Sequence, residues 1–252
     1  MALKQAQVYL VTSVKGGSGK TLTTLNLAGM YSLKNKKTLI IDLDLYSGSI
    51  ALLLKLDIKN DLFNIADDFQ NNRFENLQDY ITSYNSNIDV LASPKDPRTA
   101  SKINSHYLSV ILAKAKMKYD VILIDTNHML NEINLTAYDY SDYILYVIEN
   151  DLMTAKNMRT MLSIFSDLEK SNYKIILNKA TGNKPYFTEY DFKHMMNGNI
   201  DYTIPESFYM KNLEKYLLEG TIPVLDKKIQ KAHKKTMKNL EKIVKSIEPK
   251  EK

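Results

Sequence analysis

The chain predicts an α/β protein: a mainly parallel, doubly wound sheet flanked by helices as a three-layer sandwich. Three observations carry this expectation. Short β-rich runs alternate with longer helical runs over most of the 252 residues, the order that generates parallel crossovers with helices on both faces. The strand runs are continuously apolar, as strands covered on both faces are. The first strand also passes directly through a glycine-rich turn into a helix.

In chain order, the predicted strands are Gln7–Ser13, Thr38–Leu43, Ile88–Ala92, Asp120–Asp125, Tyr143–Ile148 and Lys174–Leu177, with a weaker one at Ile200–Ile204. Helical patterns cover Lys20–Lys34, Asp61–Phe69, Arg98–Lys116, Glu132–Tyr140, Thr154–Lys170, Lys211–Leu218 and Lys227–Ile247. There is neither an internal repeat nor a clear linker, so residues 1–252 read as one domain, with 226–252 a basic C-terminal helix and tail.

Composition removes several classes of function. The chain has no cysteine, which excludes disulfides, thiolate-bound zinc, iron–sulfur clusters and thiol catalysis. The longest apolar runs are a handful of residues, against the roughly 20 that a membrane-spanning helix needs. The N-terminus lacks a secretory pattern, so a cytoplasmic location is expected. The net charge of +5 is uneven. From Asp226 onward ten lysines face four acids, leaving the remainder close to neutral.

Three of the eight glycines fall within Gly16–Gly19, in the segment Lys15-Gly16-Gly17-Ser18-Gly19-Lys20-Thr21. Between a strand and a helix this is the context of a phosphate-binding loop. The glycines let successive backbone N–H groups turn toward a polyphosphate, and the helix N-terminus adds partial positive charge. Lys20 supplies a full charge to the β- and γ-phosphates, and Thr21 a hydroxyl for Mg²⁺. The expected cofactors are therefore ATP or ADP with Mg²⁺.

The sequence KGGSGKT resembles the deviant Walker A motif of the ParA/MinD family of P-loop ATPases, and the likeness runs from Val8 to about Val224. The resemblance implies that Lys15 reaches a partner subunit's nucleotide, so that ATP and homodimerisation are coupled. It also implies that Asp44, in Asp42-Leu43-Asp44, aligns the attacking water, while Asp42 and Asp125 hold Mg²⁺ through water. For each aspartate the alternative is a strand-end residue that caps a nearby helix. Leu22 stands where the family has Thr or Ser against the α-phosphate, and Asn127-His128 replaces the usual Asp-Thr-Pro-Pro continuation. His128 is either a γ-phosphate sensor or an exposed loop residue. Asn178 and Pro205 resemble the base-binding positions, although a turn asparagine and a strand-end proline look the same from sequence.

Within the family, capsule-type tyrosine kinases carry a C-terminal tyrosine cluster, whereas all seventeen tyrosines here lie at or before Tyr216. Leu45-Tyr46 departs from the plasmid-partition pattern. The segment from Asp44 to Leu54, with Gly48 and a leucine-rich run, looks similar to the CpaE/TadZ branch that positions Tad-type pilus assembly. That branch often carries an N-terminal receiver-like module, and here the chain starts at the ATPase strand. The implied function is a slow, partner-stimulated ATPase switch serving a pilus or secretion machine. The alternatives are a DNA-partition or MinD/flagellar-type positioning ATPase, or a nucleotide-binding scaffold with little hydrolysis.

In Lys227–Ile247 the apolar residues Ile229, Ala232, Leu240, Ile243 and Ile247 fall on one helical face, opposite lysines. Three roles fit that pattern. It is the last helix of the sandwich, or a contact to anionic lipid at the inner face of the membrane (without the Phe and Trp that drive insertion), or a non-specific contact to DNA phosphates.

Overall fold

The computed structural model describes residues 5–182, 185, 187–208, 216 and 218–249. The elements alternate as β1 (Gln7–Thr12), α1 (Lys20–Leu33), β2 (Thr38–Asp42), α2 (Ile50–Leu53), α3 (Leu62–Gln70), β3 (Thr82–Ser83) and β4 (Ile88–Leu91). They continue as α4 (Ser105–Ala115), β5 (Val121–Asp125), α5 (Glu132–Tyr140), β6 (Tyr143–Ile148), α6 (Leu152–Asp167), β7 (Tyr173–Asn178) and α7 (Glu189–Met196). β8 (Tyr202–Ile204), α8 (Lys227–Ala232) and α9 (Lys234–Ile247) follow.

The strands form a single sheet in the order β3-β4-β2-β5-β1-β6-β7-β8. All pairings are parallel except that of β3 with β4 at the edge. Side chains on a strand alternate between faces, and the core divides accordingly. Val8 and Leu10 of β1, Ile122 and Ile124 of β5, and Tyr146 of β6 pack under α3 to α7. Tyr9, Val11, Leu123, Leu145 and Val147 pack on the other face against α1 and α9. This explains why the central strands are apolar throughout: each residue meets a helix layer.

Helix starts follow local chemistry. Asp61 and Asn64 form a reciprocal capping box at α3. Asn104, Asn131, Asp151 and Thr188 cap α4, α5, α6 and α7 through their side chains. Those caps account for most differences from the predicted bounds. The expected helix Arg98–Lys116 is two pieces, because the 3₁₀ turn Pro97–Lys102 ends where Ile103 extends (φ −88°, ψ 107°) and Asn104 restarts the helix. The expected helix Thr154–Lys170 begins two residues earlier, behind the Asp151 cap, and closes before Glu169, which is left-handed at φ 53°. β8 is shorter than Ile200–Ile204, and β3 and α2 were not anticipated. The expected helix Lys211–Leu218 lies largely outside the described residues.

The C-terminal helix is likewise not continuous. It breaks at His233 (φ −115°, ψ 43°), whose ring stands edge-on to Phe208 with centroids 5.4 Å apart. Beyond the break, Leu240, Ile243, Val244 and Ile247 are at most 1% exposed and complete the core over α1 and the sheet. The apolar face is thus consumed by the fold, leaving Lys234, Lys235, Lys238, Lys242 and Lys245 outward. Among the described residues no helix is long and apolar enough to cross a membrane.

If α9 is core, Leu240→Ala lowers the unfolding free energy by about 2–5 kcal/mol, whereas Lys238→Ala stays within about 0.5 kcal/mol. Urea denaturation of the two variants measures the contrast. Equal, small effects would show that α9 detaches without cost.

Candidate functional site

The sheet order decides what meets at its C-terminal edge. β1 is central, with β5 and then β2 on one flank and β6 and then β7 on the other. The segments leaving β2 and β5 therefore stand on one side of the β1–α1 turn, and the segment leaving β7 stands on the other. Open sheets of this kind bind ligands at that edge.

The turn itself is shaped by glycine. Gly17 and Gly19 have φ of 81° and 85°, the left-handed region where a side chain is strained. A Cβ on Gly19 would also collide with the amide of Asn178. Gly19 stands at the N-cap of α1 with no side-chain cap, which leaves the first-turn N–H groups without a side-chain acceptor. Ser18 is 2% exposed, and its hydroxyl has no partner among the described residues. A buried orphan hydroxyl, an uncapped helix N-terminus and a glycine nest are what an anionic polyphosphate satisfies. The residues present therefore fit a nucleotide's phosphates. Beside them opens a cavity of about 710 Å³. Gly16, Gly17 and Gly19 to Leu22 line one side and Asp44, Tyr46, Ser47 and Ser49 the facing side, with Asn127–Met129, Asn178, Ala180 and Thr181 closing it.

Asp125, the last residue of β5, is 1% exposed. Its two oxygens accept from the Thr21 hydroxyl at 2.7 Å and the Thr24 hydroxyl at 2.9 Å. Burial pushes its pKa up, while the two hydroxyls and the Lys20 charge pull it back, leaving it at about 6. Asp125 therefore sits directly behind Thr21, which itself lines the cavity. Mg²⁺ commonly binds through one or two protein groups plus phosphates, so this pair fits that ion without a dedicated protein cage. Among the described residues there is no cluster of three His, Asp or Glu.

Asp42 has a different setting. It is also 1% exposed, but its oxygens accept from the N–H groups of Asp44 and Ile50 and from the Ser93 hydroxyl, all at 3.2–3.3 Å. Burial and the neighbouring Asp125 charge raise its pKa to about 8. Gly48 lies so close that a Cβ there would strike Ser93 and Asp42. Asp42 thus organises the 44–50 loop from outside the cavity, and this loop presents Asp44 at the cavity wall.

Lys15, at the mouth, is held within its own chain. Its Nζ lies 3.2 Å from Asp151 and 3.8 Å from Glu149, and its side chain is 42% exposed. Asn178 uses its amide to brace the loop, donating to the Ser18 carbonyl at 2.9 Å and accepting from the Ala180 N–H at 3.0 Å. Pro205 is not among the cavity-lining residues, whereas Leu22 and His128 are.

Sequence reasoning passed over Thr24, Ser93 and Asn134, and took Gly48 only as a mark of the branch. Only Thr24 had a local signal: it follows Thr21 by three residues, on the same face of α1. Ser93 and Asn134 act through contacts that spacing does not reveal. A hollow of about 750 Å³ also lies where β7 begins, lined by Arg159, Asp167 and Asp201, but it is at the opposite edge from this machinery.

A glycine nest, a lysine and a helix-borne hydroxyl backed by a buried aspartate define a P-loop nucleotide-binding protein. A family profile described as an AAA domain matches residues 6–179, and the chain belongs to that family. Its sheet and flanking helices are those of the ParA/MinD fold. A ParA family ATPase from Chlorobium tepidum superposes with a TM-score of 0.77 at 22% identity, over 94% of this chain and 97% of that one. The septum site-determining protein MinD from Pyrococcus horikoshii, in complex with Mg-ADP, also gives 0.77 at 22% identity, over 98% and 100%. The tyrosine-protein kinase Wzc of Salmonella typhimurium is 28% identical over 201 residues, 76% of this chain. The chain spans about a quarter (27%) of that kinase's length.

The raised pKa of Asp125 has a measurable consequence in nucleotide-free protein. A carboxyl whose folded pKa exceeds its unfolded value of 3.8 stabilises the fold below that value and loses the contribution as pH rises through about 6. Asp125→Asn keeps the shape, because the Thr24 hydroxyl can donate to the Lys20 carbonyl (3.1 Å) and accept from the new amide. Relative to wild type, the variant gains up to about 3 kcal/mol between pH 4 and pH 8. Urea denaturation across that range tests it; a pH-independent difference would refute the assignment.

Proposed function

We propose that the chain is an Mg²⁺-dependent ATPase that works as a dimeric positional switch. The observation that carries this reading is the uncapped N-terminus of α1 beside the buried, unpartnered Ser18 hydroxyl, opening onto a cavity walled by Asp44. Bound Mg²⁺ would neutralise phosphate charge and orient the β- and γ-oxygens. Lys20 offsets charge at the terminal phosphates, and Thr21 offers its hydroxyl to the ion with Asp125 fixed behind it. Asp44 aligns a water for in-line attack. On the other flank, Asn178 holds the loop at the base side, with Pro205 further along the same edge.

Two features support a second copy of the chain as the other half of the site. Lys15 is at the mouth, and among the described residues its Nζ meets Asp151 and Glu149 in part-exposed ion pairs of a kind worth at most about 1 kcal/mol each. Tyr46 and Met129, which line the cavity, and Leu52, Leu130, Leu152 and Met153, which adjoin Leu53, Met129 or Asp151 in the chain, are each at least 50% exposed, apolar surface that a partner would cover. Lys15 then transfers from Asp151 to the partner's phosphates, so that nucleotide and dimer form together.

The cellular role we propose is positioning of a Tad-type pilus or secretion assembly in the cytoplasm, at the inner face of the membrane. The DxD segment through Gly48 into α2 supports that branch. Because the apolar face of α9 is used in the core, any contact to anionic lipid or DNA falls to its outward lysines and is electrostatic.

The test is ATP turnover together with sizing in ADP and in ATP. Wild type dimerises only in ATP. Lys15→Ala loses the dimer, and Asp44→Ala keeps it while turnover falls about 100-fold or more. A monomer in every nucleotide state would sink the switch.

A further inference from the structure

The loop that follows Asp125 reads Asn127-His128-Met129, and one buried side chain gathers it. Asn134, on α5, is 1% exposed. Its amide donates to Oδ1 of Asn127 at 2.9 Å and to the carbonyl of Met129 at 2.8 Å. The same Oδ1 of Asn127 accepts the Met129 N–H at 2.9 Å. On the other side, the Asn127 carbonyl faces the Thr12 hydroxyl at 3.4 Å. Three residues, Asn127 to Met129, are thus gathered by one buried carboxamide.

That carboxamide is not there for packing. Asn134 leaves its own Oδ1 without a partner among the described residues, a cost an apolar side chain would avoid. What the residue gains is two donor bonds to a single short loop. The loop has little else behind it: His128 lines both the nucleotide cavity and a second hollow of about 280 Å³ that reaches Tyr138 and Tyr146. The latch therefore holds a thin wall between two spaces.

The wall is at one particular flank. Asn127–Met129 leaves β5, on the Thr21–Asp125 side where the terminal phosphate would lie, while Asn178 leaves β7 on the opposite side. We propose that Asn134 is a positioning residue that latches Asn127–Met129 against the terminal phosphate, so that the site prefers ATP over ADP. This rests on the nucleotide reading above and deepens it.

Calorimetry with Mg-ADP and with Mg²⁺ plus a non-hydrolysable ATP analogue tests the latch on wild type, Asn134→Ala, Asn127→Ala and the double variant. ADP affinity is expected to stay within about twofold of wild type. Affinity for the analogue falls about tenfold in each single variant and no further in the double, because both remove one interaction. An unchanged preference, or equal weakening for both nucleotides, would overturn the latch; Asn127→Ala alone suffices if Asn134→Ala does not fold. Wild type that binds neither nucleotide refutes the proposed function and the latch together. Wild type that binds, with variants keeping its preference, refutes the latch alone.

Discussion

The paired hydroxyl bonds from Thr21 and Thr24 to Asp125 tie the first turns of α1 to the end of β5. They offset only part of what burial at 1% exposure costs the carboxylate, whose pKa stays raised. With them it fixes the rotation of α1 about its axis, and hence where the first-turn N–H groups and Lys20 stand. The opposite side of the turn is fixed by Asn178 on the Ser18 carbonyl. The glycine turn is held at both flanks, while the Ser18 hydroxyl at its centre has no partner among the described residues. Backbone donors placed in advance around an empty centre need little reorganisation when charge arrives there.

The same arrangement shows which parts of the molecule were legible in the sequence. The glycine turn was readable because its whole signal is local: three glycines, a lysine and a threonine between a strand and a helix. The parallel sheet was readable because each central strand meets helices on both faces and so carries no polar alternation. The breaks at Asn104 and His233 were harder, since apolar spacing runs through both. They are set by a side-chain cap at Asn104 and by Phe208 against the His233 ring. Asp42 shows the limit for the site. Its position two residues before Asp44 suggested a shared role at the metal, whereas its bonds to the 44–50 loop and to Ser93, 51 residues away, are contacts that spacing does not reveal.

The C-terminal helix illustrates how burial decides between readings that composition leaves level. A lysine-rich amphipathic helix is equally a membrane, DNA or core element while its apolar face is unassigned. Here Leu240, Ile243, Val244 and Ile247 are in contact with the layer formed by α1 and the sheet. Inserting them in lipid would first remove them from that core, so hydrophobic insertion competes with folding. Charge attraction does not, since the lysines already point outward.

Lys15 brings these strands of argument to one balance. In the isolated chain it faces two carboxylates, and the Thr154 hydroxyl and N–H also bond to Asp151. Asp151 therefore keeps partners when the lysine leaves, and its carboxylate need not be stranded. An ion pair with a 42% exposed lysine is weak, whereas a triphosphate in a closed, water-poor interface carries several charges in a lower dielectric. Moving Lys15 from one to the other is favourable only once the second surface excludes water. In the switch proposed above, the lysine would act after apposition of the two rims, reinforcing a contact that apolar burial has begun, and its withdrawal on phosphate loss would remove that reinforcement from both subunits together.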